Sequence, residues 1–136
     1  MPKTDIVKLL KEGQTIQIHP QGNSMLPFIY PGRDEVVISP DTNDLRKYDI
    51  VLYRSKETGY LTLHRIIRIE NNTIYVCGDN QTRLEPIGKD QIIGIVIEII
   101  RNGKHINTDS IAYRTAAALY VNNKQSISKL RAILKR

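Results

Sequence analysis

Hydrophobic and polar residues alternate with a period of two along most of the chain between residues 14 and 107, a pattern typical of half-buried β-strands. The alternating segments are rich in Val, Ile, Thr and Tyr, and turn-forming residues separate them. We predict strands at residues 15–19, 35–39, 49–54, 60–69, 73–77 and 91–100. Short strands at this spacing predict a mostly β fold, built as compact antiparallel sheets or a partly open barrel.

Pairs of residues with a strong turn preference lie beside these segments: Pro31-Gly32, Asn71-Asn72 and Asn102-Gly103. The first pair suits a type II turn, and the last suits the type I′ turn of a hairpin. Hairpin turns join antiparallel strands, which supports the antiparallel arrangement.

Helical sequence is confined to the two ends of the chain. Residues 4–12 predict a short helix, which Thr4 caps and Gly13 ends. Residues 110–121 are rich in alanine and predict a second helix, which Asn122-Asn123 should break.

One domain accounts for the 136 residues, with a β core at residues 14–107 and a basic helical tail at residues 108–136. Residues 1–100 carry 12 Lys+Arg against 13 Asp+Glu, a net charge of −1, whereas residues 101–136 carry 8 Lys+Arg against one acid, a net charge of +7. The one cysteine, Cys77, excludes an intramolecular disulfide and suits a reducing compartment. No apolar stretch reaches the roughly 20 residues of a membrane span, and no secretory signal is visible, so we expect a soluble, cytoplasmic protein.

The basic tail raises the question of an anionic partner. Within residues 122–136, Ser126 suits the cap of a last short helix whose apolar side consists of Ile127, Leu130 and Leu134. Such a helix favours peripheral contact with an anionic membrane, although a solvated helix face explains the same charges equally well. No helix-turn-helix, zinc or RNA-recognition motif accompanies the tail, so we do not expect nucleic acid as a partner.

Ser24 is the candidate for nucleophilic chemistry. It lies in the segment Gly22-Asn23-Ser24-Met25-Leu26-Pro27, a turn that glycine begins and proline stops. A fixed turn of this kind exposes a hydroxyl and aims successive backbone N–H groups at one point, as an oxyanion hole requires. An ordinary turn serine has the same spacing, and a serine becomes a nucleophile only beside a base.

His64 is the best candidate for that base. On the strand predicted at residues 60–69 it shares the more polar face with Thr62 and Ile66, opposite a row of leucines. A core histidine would be expected among the leucines, and an imidazole with a pKa near 6.5 suits the removal of a serine proton. The alternative is a surface histidine without a function.

Asp79 is the candidate for the group that orients the base. It lies in the turn Gly78-Asp79-Asn80, directly after the strand predicted at residues 73–77. A carboxylate there would hydrogen-bond the imidazole, fix its tautomer and stabilise the imidazolium. The alternative is an Asx-turn, in which Asp79 caps its own loop.

Four segments in this order resemble the signal peptidase and LexA-type peptidase superfamily, the S24/S26 type: Ser24-Met25-x-Pro27, Tyr48-Asp49-Ile50-Val51, His64-Arg65-Ile66 and Gly78-Asp79-Asn80. The resemblance covers roughly residues 14–100. Most bacterial type I signal peptidases have a lysine base before the arginine of the third segment. His64 precedes Arg65 here, as in the endoplasmic-reticulum and sporulation types, which use serine and histidine with a nearby aspartate.

The resemblance implies a serine endopeptidase with the family's mostly β fold, in which Ser24 is the nucleophile, His64 the general base and Asp79 the orienting or structural acid. Some members have a hydroxyl side chain two residues before the nucleophile, where this chain has Gly22. The oxyanion hole would therefore rely on the Ser24 N–H and the Asn23 amide. We assign Gly22, Asn23 and Met25 to oxyanion and substrate binding.

An extended peptide with small residues beside the scissile bond is the substrate that the resemblance implies, and we predict neither a cofactor nor a metal. Signal peptidases usually have an N-terminal membrane anchor, which this sequence lacks, and the upstream Ala-Gly or Cys-Gly bond at which LexA-type members cut themselves is missing. We therefore expect no self-cleavage. The missing anchor keeps a second hypothesis open, a non-catalytic module that binds a peptide or protein on the same fold.

Overall fold

The computed structural model describes the backbone of residues 3–134 and the side chains of residues 5–124. The helices and strands are, in chain order, α1 (Lys3–Lys11), β1 (Ile16–Ile18), β2 (Asp34–Ser39), β3 (Ile50–Arg54), β4 (Leu61–Glu70), β5 (Thr73–Cys77), β6 (Glu85–Gly88), β7 (Ile92–Arg101), β8 (Lys104–Asn107) and α2 (Ile111–Leu134). A short 3-10 helix, Lys89–Gln91, connects β6 to β7.

In the described part of the chain, eight strands form one antiparallel sheet: seven follow the order β1-β2-β7-β3-β4-β5-β6, and β8 pairs with β7 outside this order. The long strand β7 pairs with β2 along one side and with β3 and β8 along the other. The sheet does not close, so β1 and β6 are its two edges. The prediction of an open, mostly antiparallel β fold with a short N-terminal helix and a C-terminal helix is confirmed.

Two hydrophobic clusters cover the two faces of the central strands. On β3, Ile50 and Leu52 belong to the first cluster, which includes α1 and the Ser24 turn, whereas Val51 and Tyr53 belong to the second. Successive residues of a strand project to opposite faces, so β3 is buried on both. This double burial gives β3 and its neighbour β4 fixed positions from which side chains can be aimed.

The sequence did not predict the two outer strands β6 and β8. β6 contains Pro86 and Gly88, which strands disfavour, but it lies at the edge of the sheet, where a missing N–H is tolerated. β8 is polar apart from Ile106 and returns from the predicted Asn102-Gly103 turn, where both residues have a positive φ. Neither strand has the apolar alternation that identified the others.

Helix α2 continues through Asn122-Asn123, so the prediction that these residues break it is wrong. Asparagine costs a helix only about 0.6 kcal/mol relative to alanine, and the contacts of the fully buried Val121 outweigh that cost. Ser110 caps α2, since its hydroxyl accepts the N–H of Tyr113 at 3.2 Å. None of the helices in the described part of the chain combines the length and apolar character needed to cross a membrane.

Two of the sequence predictions fall on side chains outside the described residues: the cap at Thr4 and the apolar side of the tail. Contact of residues 122–136 with a membrane therefore stays a prediction. The prediction that Ser126 caps a separate last helix is wrong, because α2 runs without a break to Leu134. At the other end of α1 the expected role of Gly13 is confirmed, since its φ of +87° lies in the left-handed region that favours glycine.

Candidate active site

Met25 anchors the Ser24 turn in the protein interior. The Met25 side chain is buried in the first hydrophobic cluster, and its carbonyl accepts the N–H groups of Phe28 and Ile29, both at 2.9 Å. Gly22 begins the turn with a φ of +84°, where a side chain would be strained. The N–H groups of Ser24 and Met25 donate no hydrogen bond to any described residue.

Ser24 lines a groove of about 590 Å³. Its apolar surface comes from Met25, Ile29, Leu52 and Leu63, and its sides come from β1 and the first residues of β4. Both sides have an unpaired backbone edge. β1 pairs only with β2, and β4 pairs with β5 only from Arg65 onward.

Gly78 brings the Ser24 turn and the strand of His64 together. The Asn80 N–H donates to the Ser24 carbonyl at 2.8 Å, and a Cβ at Gly78 would lie only 2.6 Å from that carbonyl oxygen. Arg65 of β4 pairs with Cys77, the last residue of β5, so Gly78 follows directly after the end of that ladder. On the other side of β4, His64 pairs with Val51 of β3, and opposite residues of an antiparallel pair project to the same face. The His64 side chain therefore lies on the face of the second cluster, whereas Met25 of the Ser24 turn is buried in the first.

The His64 ring is held by a chain of hydrogen bonds. Its Nδ1 lies 3.0 Å from the Tyr53 hydroxyl, which donates to Glu85 Oε1 at 2.7 Å. The Ser55 hydroxyl donates to the second oxygen of Glu85, also at 2.7 Å. Nε2 makes no hydrogen bond with a described residue, and it is open to solvent, since every fully enclosed polar side-chain atom in that part of the chain has a partner.

Burial lowers the pKa of His64 below its ordinary value of 6.5. The negative charges of Glu85 and Asp79 act in the opposite direction, and the nearby Lys124 ammonium lowers the pKa further. The ring is consequently neutral at pH 7, the state in which an imidazole accepts a proton.

Asp79 does not reach His64, which corrects the predicted role of its carboxylate. Both of its oxygens accept hydrogen bonds from the Arg65 guanidinium, each at 2.8 Å, and both side chains are fully buried. Strand parity explains the difference. Asp79 lies two residues after Cys77, the partner of Arg65, and projects to the face opposite that of His64.

The Arg65 guanidinium ties together several parts of the site. Besides Asp79 it donates to the Tyr48 carbonyl at 2.8 Å and to the Tyr113 hydroxyl at 3.0 Å, and the Phe28 ring lies 4.8 Å away. Burial alone would lower the pKa of Arg65, but the hydrogen bonds to Asp79 outweigh it and raise this pKa. The cation is therefore permanent, and it locks the Gly78-Asp79 turn against β4.

A model of the family described as Peptidase S24-like matches residues 3–97, more than half of the chain. The chain belongs to the Peptidase S24-like family. The predicted membership of the S24/LexA-like peptidase superfamily is thereby confirmed, and it indicates a peptidase with a peptide or protein substrate. A comparison with curated proteins finds no match.

Helix α2 lies outside the matched part of this S24-like chain, yet it fastens the site turn. The Tyr120 hydroxyl donates to the Asp79 carbonyl at 2.8 Å. The Lys124 ammonium donates to the carbonyls of Gly78 and Asp79 at 3.2 Å and to that of Gln81 at 2.7 Å. The backbone of the turn is thus held from α2 while its Asp79 side chain is held from β4.

For the three residues predicted to form the S24-like site, the structure links the Ser24 turn to the strand of His64 through the Gly78 turn and separates Asp79 from the ring. Ser24 lines the groove, whereas His64 lines a second pocket with Glu85, and no hydrogen bond joins the two side chains in the described part of the chain. The sequence analysis missed Tyr53 and Glu85. Strand alternation places Tyr53 on one face with Val51, but nothing in the sequence pairs it with a carboxylate 32 residues later.

Proposed function

We propose that this chain is a serine endopeptidase in which Ser24 and His64 carry the chemistry. The Ser24 hydroxyl attacks a peptide carbonyl while His64 Nε2 takes its proton, and the imidazolium returns that proton to the leaving amine. Water then hydrolyses the acyl-enzyme by the same exchange of a proton with His64.

The contact at Gly78 carries this proposal. The Ser24 carbonyl packs so closely on Gly78 that no side chain would fit, and Gly78 directly follows Cys77, which pairs with Arg65, the neighbour of His64. The turn of the candidate nucleophile and the strand of the candidate base are thus linked through one short segment, although 40 positions separate the two residues, and His64 has its Nε2 open. Catalytic hydrogen bonds often tighten only in the complex with substrate, so this proposal expects the Ser24 hydroxyl and His64 Nε2 to approach each other when a peptide binds.

The groove supports binding of the substrate as an extended strand. The unpaired edges of β1 and of the start of β4 supply backbone donors and acceptors for β-strand addition. The N–H groups of Ser24 and Met25 and the exposed Asn23 amide are the candidate donors to the oxyanion. Asp79 takes the structural role in this proposal, since it holds the Gly78 turn through Arg65.

A non-catalytic peptide-binding module is the second candidate. The observation that favours it is the separation of the two side chains, which line different cavities and share no hydrogen bond in the described structure. Such a module would use the same groove and the same strand edges.

A cleavage screen against peptide libraries rich in small residues separates the two candidates. Wild type should cleave, whereas Ser24→Ala and His64→Ala should each lose about 10⁴-fold or more in kcat. Ser39→Ala is the matched control, because this serine lies on β2 and caps only its own loop, and it should keep full activity. Retained cleavage in Ser24→Ala would remove Ser24 as the nucleophile. Peptide binding without cleavage by wild type would establish the binding module instead.

A further inference from the structure

We infer that Tyr53 and Glu85 are positioning residues that fix the tautomer of His64, so that Nδ1 carries the proton and Nε2 remains the open base. The use of Nε2 in catalysis rests on the function proposed above. The tautomer itself is a property of the folded chain and does not depend on that function. A tyrosine and a glutamate thus do together what a single aspartate does in the Ser-His-Asp arrangement.

The single proton of the Tyr53 hydroxyl determines which ring nitrogen of His64 is protonated. A hydroxyl has one proton to donate, and the Tyr53 oxygen lies within hydrogen-bond distance of both His64 Nδ1 and Glu85 Oε1. A bond to a carboxylate is stronger than a bond to a neutral nitrogen, so the proton goes to Glu85 at 2.7 Å. The hydroxyl oxygen then serves His64 as an acceptor, and Nδ1 must supply the proton of that bond.

Burial keeps this chain of bonds in place. Tyr53 is fully buried, and His64 and Glu85 are 9% and 8% exposed. Burial raises the pKa of the Tyr53 phenol above its ordinary value of 10, so the hydroxyl keeps its proton at any working pH. Glu85 is held on its other side by Ser55, which leaves Oε1 facing Tyr53.

A neutral imidazole has one protonated nitrogen, so fixing the proton on Nδ1 makes Nε2 the acceptor. Nε2 is also the atom that lacks a partner among the described residues. Had the ring taken the other tautomer, Nε2 would carry the proton and could not accept one from a serine. The chain Glu85–Tyr53–His64 therefore selects the tautomer that is competent as a base.

Nuclear magnetic resonance of the ¹⁵N-histidine-labelled full chain at about pH 8, well above the ordinary imidazole pKa, reads the tautomer directly. We expect His64 Nδ1 to be protonated and Nε2 to be unprotonated in wild type. In Tyr53→Phe, which removes one oxygen and keeps the ring, this preference should be lost. In Glu85→Gln the hydroxyl is free to donate to Nδ1, so the fraction protonated at Nε2 should rise.

Tyr75→Phe is the matched control, because its ring lies over Arg68 and its hydroxyl makes no hydrogen bond with a described residue. It should leave the His64 tautomer and the kinetics unchanged. Against a cleaved peptide, Tyr53→Phe should lower kcat by about 10- to 100-fold with little change in KM, the size expected when a hydrogen bond to a group that becomes charged is lost.

The outcomes separate this inference from the proposed function. A wild-type ring protonated at Nε2 overturns the relay, whether or not the chain cleaves peptides. A ring that stays protonated at Nδ1 in Tyr53→Phe overturns it as well, because another group would then hold the tautomer. A wild-type ring protonated at Nδ1 in a chain that cleaves no peptide supports the relay and refutes the peptidase.

Discussion

Replacing Gly78 with alanine tests the contact on which the proposed site depends. The added Cβ would lie 2.6 Å from the Ser24 carbonyl oxygen and 2.9 Å from Gln81 Oε1. The Gln81 side chain is exposed and can rotate away, but the Ser24 carbonyl belongs to the backbone and also accepts the Asn80 N–H at 2.8 Å. The clash must therefore move the Ser24 turn.

The size of the effect follows from these distances. Ordinary contacts of a Cβ begin at 3.4 Å, so the Ser24 carbonyl would have to retreat by about 0.8 Å. Overpacking of this kind costs about 1–3 kcal/mol, or roughly 4–12 °C in Tm at about 4 °C per kcal/mol. A misplacement near 1 Å at a catalytic group lowers the rate by up to about 10²-fold, so we expect kcat/KM to fall about 10- to 100-fold.

Thermal unfolding and peptide cleavage measure the two effects on the same preparation. Gly88→Ala is the control, because its Cβ would approach Asp90 Oδ1 to 2.5 Å, but that oxygen ends an exposed side chain that can move. Its Tm and kcat/KM should match wild type. A Gly78→Ala variant with lowered Tm and normal kcat/KM would refute the argument that Gly78 positions the nucleophile, and one unchanged in both would refute the contact itself.

Two further predictions concern the charges around the site. Asp79→Asn leaves the buried Arg65 cation without its anion and should lower the free energy of unfolding, measured in urea, by about 3–5 kcal/mol. As a control, Glu57→Gln breaks an exposed ion pair and should lower it by less than about 1 kcal/mol. Equal losses in the two variants would contradict the structural role of Asp79. In the pH profile, kcat/KM should rise through a pKa below 6.5, because only neutral His64 is a base. Lys124→Met removes a cation that lowers this pKa and should move the rise to higher pH, and a shift to lower pH would contradict the assignment of the rise to His64.

The interior strands could be predicted from the sequence because their side chains alternate. β5 matches its predicted bounds, and β2, β3 and β7 lie within one residue of theirs. Pro86 lacks a backbone N–H, which is tolerated because β6 lies at the edge of the sheet. The residue propensities therefore argue against a strand here, whereas the pairing with β5 stabilises one. Helix α2 shows the same limit of prediction from local sequence. Its length depends on the packing of Val121, which the local sequence does not reveal.

The candidate site was predictable as far as single strands determine it. Alternation placed His64 opposite the leucines, but the face it occupies is not polar, because Ile66 and Tyr53 bury it in the second cluster. Of the two roles expected for Asp79, the hydrogen bond to His64 is not formed, because the residues after Cys77 keep the strand parity, which directs the carboxylate to Arg65. The relay through Glu85 depends on the pairing of β5 with the unpredicted β6, and no local pattern encodes such a contact.

The contacts of α2 with the site turn show that the part of the chain matched by the family model is shorter than the part that must fold as one unit. The family match ends at residue 97, in the middle of β7, and a chain cut there would lose half of that strand, all of β8 and every partner that α2 supplies. The carbonyls of Gly78, Asp79 and Gln81 would lose their hydrogen bonds to Tyr120 and Lys124. Domain boundaries copied from the family would therefore remove the hydrogen bonds that hold the turn beside the Ser24 carbonyl, although every predicted catalytic residue would still be present.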